Sequence, residues 1–69
     1  MIDVNKLRGK IAERGFSQRE LAKILGMSDM TFYRKMRKGR FESDEIEEMI
    51  VLLQIENPMD IFFTNLGTQ

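Results

Sequence analysis

The chain has no cysteine, no histidine and no tryptophan among its 69 residues, and only one proline and one tyrosine. Without cysteine there is no disulfide framework and no thiolate metal site. Without histidine the commonest general base and metal ligand is missing. No apolar run reaches the roughly 18–20 residues that span a bilayer. The opening residues Met1, Ile2, Asp3, Val4 and Asn5 do not show the charged-then-apolar layout of a secretory signal. There is no glycine-rich phosphate loop and no metal-ligand spacing. The expectation is one small cytoplasmic domain over residues 1–69, with no catalytic residue, metal, cofactor or membrane span.

What is present is sorted by position. All eleven basic residues lie between Lys6 and Arg40, and seven of the eleven acidic ones lie between Glu42 and Asp60. Split after Arg40, the first part carries eleven positive charges against four negative, +7, and the second carries seven negative and none positive, −7. A formal net charge of zero hides this dipole. A basic half of this kind points to an anionic partner, nucleic acid or a membrane surface.

Apolar spacing is helical along almost the whole chain. Val4, Leu7 and Ile11 mark a first helix over about 3–14, stopped by Gly15. Ser17, with Glu20 three positions on, forms a capping box for a second helix. Leu21, Ile24 and Leu25 give its buried face, and Gly26 ends it. Ser28 caps a third helix whose inward residues are Phe32 and Met36, closed by Gly39. Ser43 is the expected cap of a fourth helix, with Ile46, Met49, Ile50 and Leu53 inside. Asn57 and Pro58 open a short fifth. The fold class is all-α with five helices.

Residues 17–38 carry the most specific pattern. Two short helices joined by a tight turn cross steeply, which requires a small residue at the crossing and a left-handed residue in the turn. Ala22 and Gly26 meet those needs, and Leu21, Leu25, Met27 and Phe32 lock the pair. With Ser17, Gln18, Leu21, Ala22, Leu25, Gly26, Met27, Ser28, Thr31 and Phe32 at this spacing, the sequence resembles the helix-turn-helix domains of the phage repressor and Cro superfamily, the lambda-repressor-like domains. Lys35 departs from the pattern, standing where that family usually has an apolar residue, and Gly39 falls about a residue late. Met36 takes the inward role, and a longer third helix is expected.

The resemblance implies a sequence-specific transcriptional regulator that binds double-stranded DNA with the third helix in the major groove. It implies that Asp29, Met30, Tyr33 and Arg34 face base edges. An arginine paired in two-fold fashion with guanine contributes about 1–3 kcal/mol of discrimination. It further implies that Gln18, Ser28, Thr31, Lys35, Arg37, Lys38 and Arg40 hold phosphates, which fix position without reading sequence. Simpler roles compete: Asp29 as a helix-dipole charge, Tyr33 as a packing residue on the rim, Met30 as a gap filler, and the basic run 34–40 as a solvated helix end.

The acidic half offers carboxylates but no base of tuned pKa, so an enzyme is not expected. Asp44 and Glu45 suit the start of the fourth helix. The run of Met49, Ile50, Val51, Leu52, Leu53 and Ile55 is apolar on more than one side. A homodimer through helices four and five is therefore expected, with Leu52, Ile55, Ile61, Phe62 and Phe63 at its interface. The alternative is that helix five folds back and covers them. The rival function is an antitoxin-like or protein-interaction module that uses this apolar C-terminal face to hold a protein partner. No small-molecule effector is expected in a chain of this size.

Overall fold

The computed structural model describes residues 2–63. Five helices follow in order: α1 (Val4–Glu13), α2 (Gln18–Ile24), α3 (Asp29–Lys38), α4 (Ser43–Leu52) and α5 (Pro58–Phe62), with no strand among the described residues. Three helix starts are capped by side chains that the sequence supplies locally. Asp3 accepts from the Lys6 N–H at 3.1 Å. Ser17 accepts from the Glu20 N–H at 3.0 Å, and Glu20 accepts from the Ser17 N–H at 2.9 Å. The Ser28 hydroxyl oxygen accepts from the Thr31 N–H at 3.1 Å. Each satisfies donors that a helix leaves without partners.

The fourth start differs from expectation. Glu42, not Ser43, is the cap residue, and its N–H donates to the Glu45 carboxylate at 2.8 Å. A carboxylate at the third helical position reaches back to the residue before the helix, which moves the start by one. Asn57 stands in the cap position of α5 without a side-chain capping bond.

Four helix ends share one geometry. After α1, α2, α3 and α4 the chain turns through a left-handed residue, with two tightening backbone bonds at each end. For α2 these run from the Gly26 N–H to the Lys23 carbonyl (3.1 Å) and from the Met27 N–H to the Ala22 carbonyl (3.0 Å). The left-handed residues are Gly15, Gly26, Gly39 and, at the end of α4, Gln54 at φ 51°. Gly39 closes α3 where the late glycine placed it.

Gly26 has φ 77°, and a Cβ built on it meets nothing within 4 Å. A substitution there is thus penalised by backbone conformation and not by a neighbour. Gly26→Val should destabilise the fold by about 1–3 kcal/mol. Gly26→Asn, which tolerates this region, should lose much less. Equal losses in urea denaturation for the two variants would defeat this account.

The core takes residues from every helix. Leu7, Leu21, Ala22, Met49 and Leu53 are fully buried, and Ile11, Phe32, Met36 and Phe62 nearly so. The residues in the core are all apolar, and no polar or charged side chain among the described residues is fully buried. Ala22 is fully buried in α2, which packs against α3. The Phe32 ring meets that of Phe41 with centroids 5.5 Å apart and planes tilted by 55°, an arrangement aromatic quadrupoles favour.

The chain's beginning and end are tied together. The Asp3 N–H donates to the Ile61 carbonyl at 2.7 Å, and the Ile2 N–H to the Gly39 carbonyl at 3.4 Å. The Lys6 ammonium donates to Asp60 at 2.8 Å, and this bond raises its pKa above the usual lysine value.

Three of the residues assigned to a dimer interface belong to this core. Ile55, Ile61 and Phe62 are buried within the protomer, Leu52 is half-buried against the core, and of the five only Phe63 is exposed. The physical reason is the return of α5 onto α1, which covers them. A dimer surface built on this set is corrected accordingly.

Candidate nucleic-acid interface

Helix α3 divides along its length. Phe32 and Met36, four residues apart, point into the core. Met30, Tyr33, Arg34 and Arg37, at i, i+3, i+4 and i+7, form the opposite face and are exposed. Met30 is 77% exposed and Tyr33 66%. Neither is part of the core.

Arg34, Arg37, Lys38 and Arg40 are all exposed, and none takes part in an ion pair among the described residues. Arg37 and Lys38 lie in the last turn of α3, Arg34 a turn earlier and Arg40 just past its Gly39 cap, a spread that exceeds what the C-terminal dipole requires. They leave a basic rim beside the exposed face of α3.

The start of α2 stands next to this face. Gln18, Arg19, Asp29, Phe32 and Tyr33 line one shallow crevice of about 180 Å³. Gln18 is half-buried in it. The fold thus brings Gln18 of α2 together with Asp29 and Tyr33 of α3, although ten or more residues separate them in sequence.

Arg19 was not singled out in the sequence. Its Nε donates to Asp29 at 3.1 Å across the turn, with both side chains exposed. The signal available was its place in the first turn of α2, next to Gln18. Asp29 is thereby both a first-turn acid of α3 and the partner of a cation.

Lys35 has a different role from the phosphate contact expected of it. Its ammonium lies 2.7 and 2.9 Å from the two Glu45 oxygens, with both side chains largely covered. It sits three residues after Phe32 and one before Met36, on the inner side of α3, and ties that helix to the start of α4. Half of an ion pair thus stands beside the core residues of α3. Ser28 and Thr31 are drawn into the start of α3, their hydroxyls 2.9 Å apart, with Ser28 exposed and Thr31 half-buried.

Among the described residues no group of three or more His, Cys, Asp or Glu side chains is placed to hold a metal ion, and no helix is long and apolar enough to cross a membrane.

Comparison with known proteins adds two similarities. The chain is 29% identical over 69 residues to the 7-ethoxycoumarin O-deethylase of Helianthus tuberosus, and the matched region is 96% of this chain and 14% of that protein. The chain therefore spans about one seventh of the length of that curated relative. No solved structure matches this chain. The antitoxin Xre-like helix-turn-helix domain matches residues 9–50, more than half of the chain and the whole of α2, the turn and α3. An all-helical domain with a capped, glycine-turned helix pair and this match has one family assignment: the chain belongs to the antitoxin Xre-like helix-turn-helix family.

Proposed function

We propose that this protein is a sequence-specific, duplex-DNA-binding transcriptional regulator of the phage repressor and Cro type, which reads the major groove with α3. The observation that supports it best is the division of that helix. Its inward residues account for packing, and Met30, Tyr33 and Arg34 are left exposed with nothing else to do. Arg34 suits guanine, whose major-groove edge offers two acceptors in the spacing of a guanidinium fork. Met30 and the Tyr33 ring suit a thymine methyl group. Asp29, oriented by Arg19, suits a cytosine amino group. Arg37, Lys38 and Arg40 hold phosphates on one side and Gln18, with Ser28 and Thr31 at the start of α3, on the other.

The reading is of a binding protein and not an enzyme, since the chain supplies no histidine or cysteine for acid–base or nucleophilic chemistry. A DNA-associated location belongs to the same reading.

Arg34→Ala should cost about 1–3 kcal/mol of binding and relax preference at one or two base pairs. Lys38→Ala should weaken binding to all duplexes alike and reduce the salt slope by about one. Selection of bound duplexes from a random pool, done for both variants, separates the two effects. Indistinguishable selections would remove α3 as the reading element.

The family's description as antitoxin-like favours a second reading, in which the main partner is a protein held on the C-terminal side, where Val51, Met59 and Phe63 stay exposed. Salt discriminates between the two. Several phosphate contacts release counterions and make affinity fall steeply with salt, whereas an apolar protein contact changes little.

A further inference from the structure

Between the end of α3, the start of α4 and α5 lies an open groove of about 440 Å³. Its apolar walls include Phe41, Ile46 and Phe63, its rim carries Lys38 and Arg40, and no carboxylate lines it. Phe63 is exposed at its edge. A groove this open cannot enclose a small molecule, which needs most of its surface covered. It suits a helix laid against it. The occupant that fits is apolar at its centre and acidic at its flanks.

The protein itself presents such a helix face. On the outer side of α4, Glu47, Glu48 and Val51 fall at i, i+1 and i+4 and are exposed, Val51 by 75%. The two glutamates take part in no ion pair among the described residues. At about 100° of rotation per residue, this face lies on the side of α4 roughly opposite Ile46, which lines the groove. One molecule therefore carries the key and the lock back to back.

We propose that, in the absence of DNA, the protein self-associates head to tail, the outer α4 face of one copy seating Val51 in the groove of the next while Glu47 and Glu48 meet Lys38 and Arg40. These are the same two cations that hold phosphates in the DNA-bound form, so the two contacts exclude each other. Because the two surfaces differ and lie on opposite sides of one helix, the contact is heterologous and propagates instead of closing as a two-fold dimer. The sequence's separation of charge, +7 before Glu42 and −7 from it onward, is what makes the two ends complementary.

Two charge-reversed variants test this: Lys38→Glu with Arg40→Glu, and Glu47→Lys with Glu48→Lys. Sedimentation velocity is run at up to about 1 mM protein, the range of weak contacts. It is done at about 0.01 M and about 1 M salt, where charges are screened beyond roughly 30 and 3 Å. The wild type should grow with concentration at low salt and return to monomer at high salt. Each variant alone sets like charges against each other and should stay monomeric with unchanged helical circular dichroism. An equimolar mixture restores attraction at every contact and should associate at low salt as the wild type does. The mixture also controls for folding, since unfolded variants would not rescue each other. A wild type that stays monomeric at low salt overturns the proposal. So does a salt-insensitive dimer, or a mixture that fails to associate.

Discussion

Phe32→Ala should remove about 3–5 kcal/mol of stability, the cost of emptying a well-packed aromatic site. Phe32 is 2% exposed, lies on the inner face of α3 and stacks at a tilt on Phe41. Its ring connects the crossing of α2 and α3 to the segment that leads into α4. A domain of this length has roughly 3–10 kcal/mol in total, so the variant should lose about a third of its stability or more. Each kcal/mol corresponds to about 4–8 °C in Tm at this size. Phe32→Leu keeps most of the volume and should lose about 1.5 kcal/mol or less. Thermal denaturation followed by circular dichroism at 222 nm checks both. If Phe32→Ala melted within a few degrees of wild type, the ring would not be the joint of this core.

The second large effect is expected at a charged residue. Arg14→Ala should cost about 1–3 kcal/mol, within the range for hydrogen bonds to a charged donor and a cation at a helix end. The Arg14 Nε donates to the Leu53 carbonyl at 2.7 Å, and an Nη donates to the Gln54 carbonyl at 3.2 Å. These carbonyls stand at the end of α4, whose last turn contains no basic residue. Gln54 holds a left-handed conformation there at φ 51°, which glycine would adopt at less cost. The guanidinium thus secures a turn that lacks the usual residue. Arg14→Lys keeps the charge but not the fork and should recover only part of the loss. Urea denaturation of the three proteins measures this. If Arg14→Lys behaved like wild type, charge alone would suffice and the two-pronged contact would be unimportant.

Arg14 also shows where sequence reasoning stops. The helix starts at Ser17 and Ser28 and the stops at Gly15, Gly26 and Gly39 were legible because capping and left-handed turns are local chemistry. The inward face of α3 was legible because 3.6-residue spacing states it, but that of α2 only in part. Leu21 is fully buried and Leu25 half-buried, whereas Ile24, expected on the same buried face, is 45% exposed because no neighbouring helix reaches that side of α2. Contacts between helices were not legible. Lys35 sits within a run of five basic residues and reads as one more cation for phosphate, yet its partner Glu45 lies ten residues on, in the next helix. Ile55, Ile61 and Phe62 read as apolar surplus because their burial depends on where α5 returns, which no spacing encodes. One sign of Arg14 was visible. With no Lys or Arg after Arg40, the end of α4 had to borrow a cation from the first half of the chain. For the candidate interface, the α3 residues could be named in advance, whereas Arg19 emerged only once α2 and α3 were seen side by side.

The division of α3 bears on how such a protein changes its target over evolutionary time. Met30, Tyr33, Arg34 and Arg37 are exposed and contribute to neither the core nor any helix cap. Exposed substitutions of this kind typically move stability by no more than about 0.5 kcal/mol each. The four positions can therefore drift, or be randomised together in a library, on a scaffold that does not register the change. Selection can retune what the helix touches without first finding a compensating mutation, so the domain works as a holder with an interchangeable bit.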